Sequence, residues 1–146
     1  MKFLMIVKAS KESEAGVMPS EELIARMGKY NEELVDAGML LEATGLKPSS
    51  KGARIQYSGG KPTVIDGPFA ETKELVAGFW IIQAKSYEEA LDWARRAPAP
   101  QEDGSGEIEL RQFFELDDFA SSPAVDHARA LEERVAKSKP GAGEQR

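Results

Sequence analysis

The sequence predicts an α+β domain with elements in the order β-α-β-hairpin-β-α-β, and three observations carry that reading. Two short runs, at residues 2–8 and 77–84, are apolar on both alternating faces. Two amphipathic helices open on capping signals, and a glycine-pair hairpin lies between them in the chain. A strand that is apolar on both faces belongs inside a sheet with both faces covered. In the split β-α-β arrangement of ferredoxin-like folds, the first strand and the strand before the second helix are the central pair. Those are the two doubly apolar runs.

Taken in order, Lys2-Phe3-Leu4-Met5-Ile6-Val7-Lys8 sets Phe3, Met5 and Val7 on one face and Leu4 and Ile6 on the other. Residues 8–19 read as a polar loop. Ser20 is an N-cap, with Glu21 and Glu22 in the first turn, where carboxylates meet the positive end of the helix dipole. Leu23, Met27, Tyr30 and Leu34 recur at helical spacing, and Gly38 ends the helix. Residues 39–46 read as a second strand. Ser58-Gly59-Gly60-Lys61 then signals a two-residue turn, because both central glycines tolerate positive φ. Its register sets Tyr57 opposite Pro62, Ile55 opposite Val64 and Ala53 opposite Asp66. In that register Pro62 falls at a pair that exchanges no hydrogen bonds. Residues 67–75 form a loop. The run at 77–84 carries Phe79 and Ile81 on one face and Trp80 and Ile82 on the other. Ser86 with Glu89 forms a capping box that opens a helix to about residue 97, with Tyr87, Ala90, Leu91 and Ala94 inside. Residues 107–114 make the last strand, with Ile108, Leu110 and Phe114 facing in.

The main domain therefore ends at residue 114. Ser122-Pro123 opens a helical extension within 115–137, and 138–146 reads as a disordered tail. Two helices cover only one face of a single sheet. The other face, taken as the one bearing Trp80 and Ile82, would meet water unless a second copy covered it. The sequence thus predicts a two-fold homodimer through that face.

Composition bounds the chemistry. The 146 residues are one domain's worth of chain, with 41% hydrophobic and 30% charged residues. No cysteine is present, which excludes disulfides, thiolate nucleophiles and iron–sulfur clusters, and fits a reducing cytoplasm. A single histidine, His127, is too few for a multi-histidine metal site. A net charge of −6 disfavours binding to nucleic acid. Residues 1–8 do not read as a signal peptide, and no window has the length of a membrane span. No cofactor or metal site is expected, and the expected location is cytoplasmic.

One stretch stands out: Asp66-Gly67-Pro68-Phe69-Ala70-Glu71-Thr72-Lys73-Glu74. This segment resembles the DGPFAETKE motif of the DGPF branch of the YCII-related family, and the likeness extends from about residue 2 to 114. The resemblance implies a dimeric α+β barrel of two ferredoxin-like subunits. It implies no established reaction. Members of that family commonly occur beside extracytoplasmic-function sigma factors, so an interaction module is the alternative to a small-molecule binder or cofactor-independent small enzyme with a pocket between helices and sheet near Asp66. From its own position, Asp66 ends a strand on the inward side, where partial desolvation would raise its pKa and suit it to acid–base work. Turn chemistry offers an equal account, since Asp-Gly-Pro is a good loop staple. Arg54, Tyr57 and Lys73 are candidate substrate-binding partners, and Glu71 and Glu74 add carboxylates. The histidine of the wider family's His–Asp pair has no counterpart here, because His127 lies beyond the resemblance.

Overall fold

The doubly apolar run forms β1 (Lys2–Lys8) in the structure, a computed structural model that describes residues 1–138. After it come α1 (Lys11–Glu14), α2 (Glu21–Asp36), β2 (Leu40–Gly45), β3 (Ala53–Ser58), β4 (Lys61–Asp66), β5 (Val76–Gln83), α3 (Tyr87–Ala94), β6 (Ile108–Gln112) and α4 (Pro123–Ser138). Four strands pair antiparallel in the order β2-β5-β1-β6, so β1 and β5 are the central pair. This is the ferredoxin-like arrangement with a hairpin inserted between β2 and β5. The chain divides into two units, Met1–Phe113 and Phe114–Arg146. The expected tail lies, from residue 139 onward, outside the described residues.

Register assigns the faces. Met5 pairs with Trp80 and Phe3 with Ile82, while Leu4 pairs with Ile81 and Ile6 with Phe79. The core holds Phe3, Met5, Trp80 and Ile82 together with Tyr30 and Leu34 of α2 and Ala90 of α3. The expected exposure of Trp80 and Ile82 is thereby corrected: they are 4% and 0% exposed, beneath the helices. The face that α2 and α3 leave bare carries Leu4, Ile6, Phe79 and Ile81, all half-buried. A strand apolar on both sides does not say which side the helices choose; register groups the facing residues, and the packing of Tyr30, Leu34 and Ala90 on one group decides the side.

Three further expectations change. Residues 11–14 are helical rather than loop, because Ser10 and Ser13 form a reciprocal capping box: the Ser13 N–H donates to Ser10 Oγ at 3.1 Å and the Ser10 N–H to Ser13 Oγ at 2.8 Å. On α3, Ala90 and Ala94 pack inward as expected, but Tyr87 and Leu91 are exposed and Trp93 packs against the core in their place. Phe114 is 80% exposed, because β6 ends at Gln112, before it could alternate inward. In the second unit Phe114 packs on Phe119, with ring centroids 5.3 Å apart, and Arg129 pairs with Asp117 at 3.0 Å.

Tyr30 links both helices to the sheet. Its ring meets Trp80 edge-on, centroids 5.6 Å apart, and its hydroxyl donates to the Trp93 carbonyl at 2.7 Å. Burial, above all, pushes its pKa up from 10.0 to about 12, with Arg96 opposing and Glu33 adding. The folded state holds the phenol proton more tightly than the unfolded chain does. Stability from this group is therefore intact below pH 10 and falls as pH rises from 10 to about 12. Tyr30→Phe should cost about 1 kcal/mol at pH 7, the worth of one such bond. It should also flatten the alkaline decline, which thermal melts from neutral pH to the phenol range will measure.

Candidate functional site

The sequence placed one pocket between helices and sheet, near Asp66; the structure separates the Asp66 motif from that space, and the two differ in construction. β3 and β4 form a separate two-stranded sheet, in the register Ser58 to Lys61, Tyr57 to Pro62, Ile55 to Val64 and Ala53 to Asp66 that the glycine turn dictates. Gly59 and Gly60 take φ of +58° and +79°, as a two-residue turn of this kind requires. Every residue of both strands is exposed, including Asp66. Asp66 thus sits in water rather than on a desolvated inward face, because the hairpin does not fold onto the four-stranded sheet.

The segment after Asp66 anchors the hairpin's base. The Gly67 N–H donates to the Gly52 carbonyl at 3.0 Å. A side chain at residue 67 would bring its Cβ within 1.8 Å of the Ser49 carbonyl oxygen, so glycine is required there. The Phe69 N–H donates to Ser49 Oγ at 3.1 Å. The Ser49 hydroxyl in turn donates to the Glu14 carboxylate, and the Ser49 N–H reaches Glu14 Oε2 at 2.9 Å. The Arg54 guanidinium sits over the Phe69 ring, its central carbon 3.9 Å from the centroid. That stacking occupies the face of one proposed ligand-binding cation. Tyr57, 72% exposed, projects from the face opposite Arg54 and lies four residues, roughly 13 Å, along the strand from the Asp66 pair. The side chain of Lys73 lies outside the described residues. Glu71, Glu74 and His127 are exposed. Asp66, Arg54 and Tyr57 are therefore not drawn together around a common space.

A cleft of about 890 Å³ opens between α2 and the helix-covered face of the sheet. Its floor is Val7, Ala43 and Trp80; its wall is Leu23, Met27 and Asn31 of α2; its rim includes residues 46–48 and 100–103. Asp66, Arg54 and Tyr57 are not among the lining residues. Trp80 Nε1 donates to Asn31 Oδ1 at 2.6 Å. That bond assigns the amide's orientation, because an indole N–H can only donate. Asn31 Nδ2 remains as a donor on the cleft wall. A cavity of this size, apolar with a few oriented polar groups, has the dimensions of a small-molecule site.

Sequence reasoning passed over Trp80, Asn31 and Glu102 as site residues. Asn31 alone carried a local signal: it is four residues after Met27 and three before Leu34, a polar residue within an apolar helical stripe.

The pattern of the YCII-related domain matches residues 1–117. The chain belongs to that family. An uncharacterised protein of Rhizobium meliloti (strain 1021) is 44% identical over 86 residues, which are 59% of this chain and 64% of that relative. The match thus spans just under two thirds of the relative's length. Among solved structures, the chain is similar to a 5-chloro-2-hydroxyhydroquinone dehydrochlorinase from Burkholderia phenoliruptrix AC1100, in complex with 2,5-dihydroxybenzoquinone. That likeness has a TM-score of 0.42 at 16% identity and covers 78% of this chain and 94% of the other. In this YCII-related chain no described helix is long and apolar enough to cross a membrane, and no group of three or more His, Cys, Asp or Glu among the described residues is placed to hold a metal.

The motif's two leading residues are expected to separate on substitution. Gly67→Ala should cost about 2 kcal/mol or more, since a backbone carbonyl must move. Asp66→Asn, at an exposed position, should stay within about 0.5 kcal/mol. Chemical denaturation of both variants measures the contrast.

Proposed function

We propose that this YCII-related domain binds a small molecule with an apolar body in the cleft between α2 and the sheet. The observation that carries the reading is the cleft itself, about 890 Å³, with Trp80 at its floor and the Asn31 amide held in one orientation by the Trp80 N–H. Leu23, Met27 and Val7 supply apolar contact, and Asn31 Nδ2 offers a hydrogen bond to a ligand oxygen. The Asp66-to-Glu74 segment supports placing the chain in the DGPF branch of the family, where the motif serves to staple the hairpin. Titration with the neutral apolar dye Nile red tests the binding reading. Saturable binding is expected, and Met27→Trp, which puts an indole into the cleft wall, should weaken it about tenfold, roughly 1.4 kcal/mol. Dye affinity unchanged by Met27→Trp would overturn the assignment.

We also propose that two copies pair by two-fold symmetry through the bare sheet face, in place of the Trp80 face expected from sequence. Leu4, Ile6, Phe79 and Ile81 form its apolar centre, and Glu42, Glu109 and Arg111 stand on the same face around it. Sheet-on-sheet packing buries such a surface. Sedimentation at micromolar concentration should give about twice 16.0 kDa. Phe79→Asp should yield folded monomer, and a monomeric wild type would end the proposal.

An interaction-module reading draws on a different surface. Ile55, Tyr57 and Val64 form an exposed apolar row on the hairpin, suited to a protein partner such as the sigma factor that the family resemblance implies. A paired Ile55→Ser and Tyr57→Ser variant should lose that association and keep dye binding.

A further inference from the structure

We infer that Glu102 makes the cleft selective by charge, so that it takes neutral or cationic apolar molecules and turns away carboxylates, sulfonates and phosphates. The inference rests on the cleft being a ligand site and specifies the chemical class of its occupant.

α2 runs for 16 residues, and its N-terminus reaches the cleft through Pro19 and Leu23. A helix end of that length carries roughly half a positive charge and unpaired N–H groups, which together would draw an anion into the space. The chain fills that place with its own carboxylate. The Ser20 N–H donates to Glu102 Oε1 at 2.8 Å, across 82 residues of sequence. The Leu23 N–H donates to Ser20 Oγ at 3.1 Å, and Glu21 and Glu22 occupy the first turn. The attraction an anionic ligand would find here is therefore already satisfied within the protein.

The charges lining the space are mostly negative, while Arg26 of α2 acts on Glu102 from outside the lining. The Ser20 N–H bond, foremost, holds the Glu102 carboxyl below its usual range, so it is ionised at neutral pH. The Ser105 hydroxyl and N–H do the same for Asp103. Glu12, Glu102 and Asp103 thus face the space against a single cation, Lys47, among the described lining residues. In water, a unit charge roughly 7 Å away alters the affinity of a singly charged ligand about threefold. An excess of two negative charges then separates an anion from its neutral counterpart by about tenfold.

Calorimetric titration with three probes sharing one naphthalene body tests this: naphthalenemethanol, naphthylmethylammonium and naphthoate. At low ionic strength the expected order is ammonium tightest and naphthoate weakest, with naphthoate about tenfold below the alcohol. The gap should shrink at about 0.5 M salt, as screening of exposed charges requires. Glu102→Gln keeps an oxygen to accept the Ser20 N–H while removing the charge. It should narrow the naphthoate-to-alcohol ratio about threefold. Naphthoate binding as tightly as the alcohol, or a ratio untouched by Glu102→Gln, would overturn the inference while leaving the cleft a binding site. Failure of all three probes to bind would instead overturn the ligand-site reading, and this inference with it.

Discussion

The antiparallel pairing of β1 with β5, Met5 opposite Trp80, governs the rest of the domain. A pleated strand presents successive side chains to opposite faces, so this one register decides every facing residue at once. It sends Phe3, Met5, Trp80 and Ile82 toward α2 and α3, and Leu4, Ile6, Phe79 and Ile81 the other way. A slip by one residue would set Phe79 and Ile81 beside Phe3 and Met5 and turn Trp80 to the other face. The buried set has the larger and more polar-tipped member, Trp80, and its indole N–H must find an acceptor once it leaves water. Asn31 supplies one at 2.6 Å. Burial of an aromatic in the sheet thus demands a polar residue on the helix above it, and the two together furnish the cleft's principal oriented polar pair.

The hairpin is built on a different principle. A two-stranded sheet with every residue exposed has little apolar burial of its own and is marginal alone. Its base is held by the segment after Asp66, where close backbone approach at Gly67, the Ser49 and Glu14 hydrogen bonds, and the Arg54–Phe69 stack converge. The motif that looked most like a reaction centre in the sequence is, in space, a clamp that joins three segments of chain. Asp66 contributes no buried charge to it.

Charge is distributed to match. The cleft is apolar at its floor and acidic toward residues 100–103, and the positive helix end beside it is occupied by Glu102. Residues 100–103 are thereby tied to the start of α2, which keeps the cleft's rim defined by a hydrogen bond between distant parts of the chain rather than by apolar packing.

The sequence alone determined the elements that depend on local chemistry. Capping serines at 20 and 86 started helices where they stand, two glycines at 59 and 60 set the hairpin register to the residue, and doubly apolar patterns identified β1 and β5 as the central strands. Those signals act within a few residues, so they survive without knowledge of the fold. Helix α1 is the exception among local elements, because its Ser10–Ser13 box lacks the usual glutamate and read as loop. Tertiary structure decided the face of the sheet that α2 and α3 cover, since Leu4 and Ile6 are as apolar as Phe3 and Met5 and only the packing of the helices separates them. It also decided that the hairpin stands apart from the main sheet, which is why Asp66 is in water. The cleft was the least legible part. Its floor, wall and rim come from residue 7, residues 23–31, residue 43, residues 46–48, residue 80 and residues 100–103, and no spacing along the chain encodes a cavity that forms only when a helix, a sheet and a loop fail to close completely upon one another.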